Sequence, residues 1–216
     1  MNFNGFSRKL FDFWVQLKDN NSLATAGQNA AGYKEYIMAP LEALYLDLIP
    51  VMNEISDDFV LSPRRCISSP YTDRRFSPQT PIKEYMYLRF LTAKSDAVPG
   101  FYFDMGTRYY SYGIRIYKSA AASMEKIKAN IAKNSVACDK ILADVEKGGY
   151  RIIGKPYKRD HFPTVEEPAV KRLLNHGEFY IGKEVAVSQA IFSRALYDEL
   201  AEGYLRLAPM FHLLDI

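Results

Sequence analysis

The sequence lacks long apolar segments and contains few cysteines. No apolar run approaches the roughly eighteen residues of a membrane helix, and charges interrupt the N-terminal stretch where a signal peptide needs an unbroken apolar core. Cys66 and Cys138 fall in different predicted elements without the spacing of metal ligands, so we expect free thiols. These absences predict a soluble, cytoplasmic protein that does not associate with a membrane.

The familiar catalytic signatures are also missing. The chain contains no G-x-S-x-G elbow, no Walker loop, no G-x-G-x-x-G turn and no H-E-x-x-H helix. Its only histidines, His161, His176 and His212, share no spacing typical of metal ligands, so neither a metal nor a cofactor is predicted. Asp73, Asp160 and His161 remain as candidates for acid or base chemistry, and the sequence leaves open whether the protein is an enzyme.

The chain has little excess charge of either sign. Lysine and arginine number 28 against 25 acidic residues, a formal net charge of +3. Nucleic-acid-binding proteins usually carry a stronger basic field, so a nucleic-acid partner is not expected, although tyrosines interleaved with arginines could in principle stack bases. With 216 residues, 48% of them hydrophobic, the chain can bury one substantial core, and residues 1–216 are predicted to form a single domain.

Residues 84–117 alternate with the period of two that is typical of β-strands. One set of side chains is apolar and begins with Met86, Leu88 and Phe90, whereas the other begins with Tyr87 and Arg89. Short links between the segments favour antiparallel neighbours. We therefore predict an α+β fold whose central antiparallel sheet has this meander at its heart, with amphipathic helices packed on the apolar face.

Helical periodicity flanks the meander. It predicts a helix over about 7–18 and a second from Tyr33, with a break or kink at Pro40 and an early end or bend at Pro50. Residues 59–61, 66–69, 150–153 and 179–181 are expected to be strands. Ser119 is predicted to cap a helix after the meander, and Ser188 to cap the long last helix.

Two basic clusters lie outside the predicted strands. The first occupies 73–77 and is followed by Lys83, and the second occupies 155–161. Arginine forks and lysine charges suit carboxylates and phosphates, so clusters that meet on the Tyr/Arg face of the sheet would form an anion site. The alternative is that Asp73 and Asp160 pair with neighbouring arginines in a structural network, and that a loop covers the face.

Short motifs along the chain add a family resemblance. They are Asn20-Asn21, D-R-R-F-S at 73–77 followed by Pro81 and Lys83, P-G-F-Y at 99–102, Y-K-R-D at 157–160 and F-Y-I-G at 179–182. With these motifs the chain resembles the domain-of-unknown-function family numbered 2461 over nearly its whole length. The resemblance implies an α+β fold with no assigned activity, and it marks Arg75 and Lys83 as the best-supported members of any family site.

We interpret the second set of strand side chains as the binding surface for a small anionic ligand, for example a phosphorylated one. The expected ligand contacts are Arg74, Arg75, Lys83, Arg89, Arg115, Lys158 and Arg159, with Tyr87, Tyr102 and Tyr157 lining the site. The alternative is a protein-interaction module that uses the same face, because tyrosine and arginine are common interface anchors. A concave basic floor favours the ligand, and a flat exposed patch favours a protein partner.

Overall fold

The computed structural model describes residues 2–73, 75, 79–117 and 120–216, and its centre is a five-stranded antiparallel sheet. The strands, in the spatial order β1-β2-β3-β5-β4, are β1 Met86–Leu91, β2 Val98–Met105, β3 Tyr109–Tyr117, β5 His176–Ala186 and β4 Arg151–Pro156. The helices are α1 Lys9–Asn20, α2 Ala26–Tyr33, α3 Ala39–Ile55, α4 Pro63–Cys66, α5 Ala121–Lys133, α6 Ser135–Lys147, α7 Pro168–Leu174 and α8 Ala195–Leu214. The predicted α+β class and the meander at its heart are confirmed.

Strand register separates the two faces of the sheet. One row of paired residues, buried against helices, consists of Phe90, Phe101, Ile114 and Ile181. The adjacent row consists of Arg89, Tyr102, Gly113 and Gly182. Because successive side chains of a strand point to opposite sides, the two rows belong to opposite faces. The face that carries Arg89 and Tyr102 is called the second face below.

Helix α8 packs across β2 and β3 on the apolar face. Gly203 permits the close approach, since a Cβ there would lie 2.2 Å from the Tyr150 hydroxyl and 2.7 Å from the Tyr112 ring. Glu199, four residues earlier, accepts hydrogen bonds from the hydroxyls of Tyr110 at 2.7 Å and Tyr112 at 2.8 Å. This side of the sheet is therefore a packed core, covered by α8.

The two prolines of the N-terminal helices behave differently from each other. A π-helical turn, Lys34–Met38, joins α2 to α3 and changes the helical register just before Pro40, which then lies in the first turn of α3. The backbone stays helical across this junction, where the Ala39 N–H donates to the Lys34 carbonyl five residues earlier, so a π-bulge rather than a break accompanies the proline. The expected early end at Pro50 is wrong. Helix α3 continues to Ile55, and Pro50 is exposed on its solvent side.

Residues 59–61 and 66–69 do not form strands, contrary to the prediction. Phe59 and Ile67 make single bridges to Thr92 and Leu88, and the helical turn α4, which begins at Pro63, separates the two bridges. The turn diverts the chain, so each segment meets the edge of the sheet at one residue only. Cys66 within this turn is buried and free, as is Cys138 in α6.

The helix caps also differ from those expected. Ser119 lies outside the described residues. The start of α5 is instead held by Asp96 of the β1–β2 loop, which accepts hydrogen bonds from the Ala120 N–H at 2.8 Å and from the Ser123 hydroxyl. Ser188 caps the 3-10 turn Gln189–Phe192 rather than the last helix, which begins at Ala195. None of the helices in the described part combines the length and apolar composition of a membrane crossing.

Candidate functional site

Tyrosine and arginine side chains alternate across the second face. The Arg89 guanidinium carbon lies 4.1 Å from the centroid of the Tyr87 ring and 5.4 Å from that of Tyr117. The corresponding carbon of Arg115 lies 5.6 Å from Tyr117 and 5.9 Å from Tyr180. We call these five residues the Tyr/Arg ladder. Each cation–π contact contributes about 0.5–1 kcal/mol when exposed and uses no hydrogen-bond acceptor, so the N–H donors remain available to a ligand.

Lys83 extends the ladder at the β1 edge of the sheet. Its ammonium nitrogen lies 5.2 Å from the Tyr87 ring centroid and 5.9 Å from that of Tyr85. The pKa of Lys83 is lowered mainly by burial and, to a smaller extent, by repulsion from the Arg89 charge. In the part of the chain that the structure describes, no carboxylate lies within 4.0 Å of the Lys83, Arg89 or Arg115 charge. Among the described residues, the three positive charges of the second face therefore make no ion pair within 4.0 Å.

Asp104 is the acidic residue closest in register to the ladder. It pairs with Tyr87 on one side and with Ser111 on the other, which places it on the second face. Burial raises the pKa of Asp104, and the nearby charges of Arg89 and Arg115 oppose this rise without cancelling it. Burial therefore disfavours the ionised form of Asp104, and Asp104 is the acidic group that acts on both arginines of the ladder.

Tyr102 of β2 lies close to Gly182 of β5. A Cβ on Gly182 would lie 2.2 Å from the Tyr102 hydroxyl, and the ring packs edge-on against Tyr180 at a centroid distance of 6.1 Å. Tyr102 is only 4% exposed, and its hydroxyl has no hydrogen bond of ordinary geometry, although Ser111 is near enough to moderate the rise of its pKa that burial causes. Tyr102 therefore forms the floor of the face, and a surface ligand would not reach its hydroxyl.

A cavity of about 540 Å³ opens where β3, β4 and β5 meet the loop after β4. Its charged lining consists of Arg115, Lys155, Lys158 and Glu178. Its aromatic walls are Tyr157, Phe179 and Tyr180. Within the described residues, none of the three cations makes an ion pair. The structure thus brings Arg115, Lys158 and Tyr157 of the predicted set together, and it adds Lys155, a member of the second basic cluster that was not among the expected ligand contacts.

A buried lysine lies behind one wall of this cavity. Lys128 of α5 is 5% exposed, and its ammonium group donates hydrogen bonds to the His176 carbonyl and, at 3.1 Å, to the Tyr157 hydroxyl. The Tyr157 ring also contacts the His161 ring in a tilted arrangement, with a centroid distance of 4.5 Å. Because Lys128 donates to the Tyr157 oxygen, the hydroxyl must use its own proton elsewhere. Helical periodicity alone places Lys128 next to the apolar stripe of α5 and gives no signal of these contacts.

Asp160 of the second basic cluster is bound by neighbouring residues of its own loop and of α7. Asp160 accepts hydrogen bonds from the Asn175 side chain at 2.8 Å and from the Phe162 N–H at 2.9 Å, and it pairs with Lys171 at 3.0 Å. These contacts lower the pKa of Asp160 to about 2, and the hydrogen bond from Asn175 is the largest cause. The carboxylate shapes the loop and is a poor base. Arg159 is exposed and lies outside the lining of the cavity.

The first basic cluster lies at the other edge of the sheet. Arg75 binds Asp73 through a bidentate contact with distances of 2.6 and 3.0 Å, and both side chains are exposed. Arg74 lies outside the described residues. Lys83 contacts the β1 edge, whereas Lys158 follows β4 at the opposite edge, four strand spacings or roughly 19 Å away. The described parts of the two clusters therefore do not meet, and the Tyr/Arg ladder occupies the space between them.

The fold and the second face define an α+β protein with a cationic, tyrosine-rich sheet surface. The family described as conserved hypothetical protein (DUF2461) matches residues 9–213, so the chain belongs to this family, as the sequence resemblance indicated. A search of the curated proteins returns no match to the chain. Function must therefore be inferred from the site itself.

Proposed function

We propose that this protein binds a small anionic ligand in the cavity of about 540 Å³ at the β4–β5 end of the second face. The observation that carries the proposal is the charge of the lining. Three cations, Arg115, Lys155 and Lys158, face one acid, Glu178, and no ion pair joins them in the described part of the chain. The volume lies within the range of about 300–1,000 Å³ that small-molecule sites occupy.

The lining also indicates what kind of anion fits. Lysine and arginine suit phosphate or carboxylate oxygens, and arginine can bind two of them at once. Tyr157 and Phe179 supply walls on which an apolar or ring-shaped body can pack. The Lys128 ammonium behind Tyr157 orients that hydroxyl and adds positive potential to the wall. A phosphorylated or carboxylated small molecule of a few tens of atoms satisfies all of these features.

The test is a ligand screen with a pair of charge-matched variants. Inorganic phosphate, sugar phosphates, nucleotides, dicarboxylates and a short single-stranded RNA are compared by thermal shift, and any ligand found is titrated by calorimetry. Lys158→Gln removes a cavity charge, whereas Arg159→Gln removes the same charge from the next residue, outside the cavity. A charged hydrogen bond contributes about 1.5–3 kcal/mol, so we expect Lys158→Gln to weaken binding by about tenfold or more and Arg159→Gln to change it little.

Three outcomes would contradict the proposal. The first is that no small anion stabilises the protein, and the second is that the two variants weaken binding equally, as non-specific attraction predicts. The third is that only the RNA binds, which would favour base stacking on the tyrosines of the face. A second face that binds none of these probes but captures an acidic protein would instead support the interaction-module alternative.

A further inference from the structure

A second cavity, of about 460 Å³, lies at the opposite edge of the sheet, beside β1 and the β1–β2 loop. Arg65 of α4, Arg89 of β1 and Lys94 of the loop contribute its charges, and its lining contains no aspartate or glutamate. Lys94 is partly neutralised, since it pairs with Asp215 at 2.8 Å. Arg65 and Arg89 make no ion pair with the residues that the structure describes. The cavity is therefore positively charged.

Two buried polar atoms in this lining have no partner. Thr92 is 5% exposed, and its hydroxyl oxygen makes no hydrogen bond with any described residue. The Nε–H of Arg89 is likewise enclosed and makes no hydrogen bond with any described residue, although the Arg89 side chain as a whole is half-buried. A buried polar group without a partner is uncommon in native proteins, because such a group loses its water without replacement. The Thr92 hydroxyl and the Arg89 Nε–H both belong to residues that line one cationic cavity, and a bound anion would supply the hydrogen-bond acceptor that the described residues do not.

We propose that this cavity is a second anion site, in which an oxyanion pairs with the guanidinium groups of Arg65 and Arg89 and accepts a hydrogen bond from Thr92, whose enclosed hydroxyl turns toward the cavity when the anion binds. The donors are all of the type that phosphate, sulfate and carboxylate groups accept. The rest of the lining is mostly apolar and consists of Val60, Leu91, Ala93, Ser95 and Val98. The ligand is therefore an inorganic oxyanion or the oxyanion group of a larger molecule.

This site is separate from the one proposed above. The two cavities share no lining residue, and the Tyr/Arg ladder connects them, with Arg89 at one cavity and Arg115 at the other. An anion at the β1 edge would bind Arg89 while leaving Lys155 and Lys158 untouched. Each site can therefore fail its test without affecting the other.

The experiment is an NMR titration of amide signals with inorganic phosphate, and in a second arm with phenyl phosphate, at constant ionic strength. Saturable shifts are expected at the amides of 92–95 in the wild type and in Lys158→Gln. Thr92→Val keeps the shape of the side chain but removes the hydroxyl, and Arg65→Gln removes a charge. Loss of a charged hydrogen bond corresponds to about tenfold weaker binding in each. Thr92→Ser, which keeps the hydroxyl, should retain binding.

The control is Arg64→Gln, since Arg64 precedes Arg65 in α4, is exposed and does not line the cavity. It should bind phosphate like the wild type. The proposal is overturned if the amides of 92–95 show no saturable shift, or if Arg64→Gln and Arg65→Gln weaken binding equally. Unchanged affinity in Thr92→Val would also overturn it. Tighter binding of phenyl phosphate than of inorganic phosphate would identify the oxyanion as part of a larger ligand with an apolar body.

Discussion

Replacement of Gly182 by alanine tests the close contact that shapes the second face. The added Cβ would lie 2.2 Å from the Tyr102 hydroxyl, 3.3 Å from the Tyr112 carbonyl oxygen and 3.4 Å from Cζ of Tyr102. The first distance is impossible without movement, whereas the other two are tight but tolerable. Tyr102 is pinned between strands and against Tyr180, so the ring cannot shift freely. We expect Gly182→Ala to reduce the free energy of unfolding by about 1–3 kcal/mol, the usual cost of overpacking.

The same geometry predicts a specific rescue. Tyr102→Phe removes the one oxygen that the new methyl group would strike. It also removes a buried hydroxyl without a hydrogen bond of ordinary geometry, which by itself costs about 1–3 kcal/mol to bury. The single variant Tyr102→Phe should therefore be as stable as the wild type or more stable. In the Phe background Gly182→Ala should lose most of its cost, which gives a coupling free energy of about 1–2 kcal/mol.

The assay is urea unfolding of the wild type, both single variants and the double variant. Their free energies of unfolding can be compared if these free energies fall with urea concentration at the same slope. Gly27→Ala in α2 is the control, because a Cβ there would meet nothing within 4 Å. Helix propensity predicts that this change is neutral or stabilises by up to about 1 kcal/mol, without coupling to Tyr102→Phe. If Gly182→Ala and Tyr102→Phe are additive within about 0.5 kcal/mol, Tyr102 does not lie over Gly182 and the described floor of the face is wrong.

Two further predictions follow from the pKa shifts. Because burial raises the pKa of Asp104, the protein loses stability as pH rises from about 4, the ordinary value, through the folded-state value. Asp104→Asn should therefore raise Tm at pH 7 but not at pH 3. In a protein of this size, a gain of 1 kcal/mol raises Tm by about 2–4 °C. Equal melting temperatures of the variant and the wild type at pH 7 would contradict the prediction. Asp160 has a pKa lowered to about 2, so its contribution is lost as pH falls from about 4 to 2. Asp160→Asn should melt lower than the wild type at pH 7 and converge with it near pH 2, whereas a constant difference would exclude the proposed linkage.

The ladder could largely be predicted because the parity of residues in a strand fixes which face a side chain occupies. The alternation from Met86 to Tyr117 placed Tyr87, Arg89 and Arg115 on the face opposite the core, and the strand register confirms this. The prediction needs no knowledge of neighbouring elements. It depends only on the period of two, which is the most robust signal in the sequence.

The cavities could not be predicted because they depend on long-range pairing. Tyr180 joins the ladder only because β5 inserts between β3 and β4, and that order is invisible in local periodicity. Lys155 lines a cavity because β4 extends to Pro156, where the sequence suggested a loop. Likewise, Lys128 donates a hydrogen bond to the carbonyl of His176, which lies 48 positions further along the chain. Such contacts follow from how elements pack, which residue types alone do not determine.

Other arginines of the chain make ion pairs with carboxylates, which distinguishes them from the arginines of the Tyr/Arg ladder. Arg172 pairs with Glu146 on the surface, and Arg194 joins Asp47 at 2.6 Å while also donating to the Phe3 carbonyl. In those places a guanidinium that holds the fold together has its own carboxylate. Arg89 and Arg115 contact tyrosine rings and make no ion pair within 4.0 Å among the described residues, although both act on Asp104 at longer range, and the charge of Arg89 lowers the pKa of its neighbour Lys83. Such mutual repulsion is a cost to the empty protein, and a bound anion on the second face would relieve it by compensating both charges. The placement of these cations is consistent with the proposed binding of an anion, and the ligand screen with Lys158→Gln and Arg159→Gln tests it.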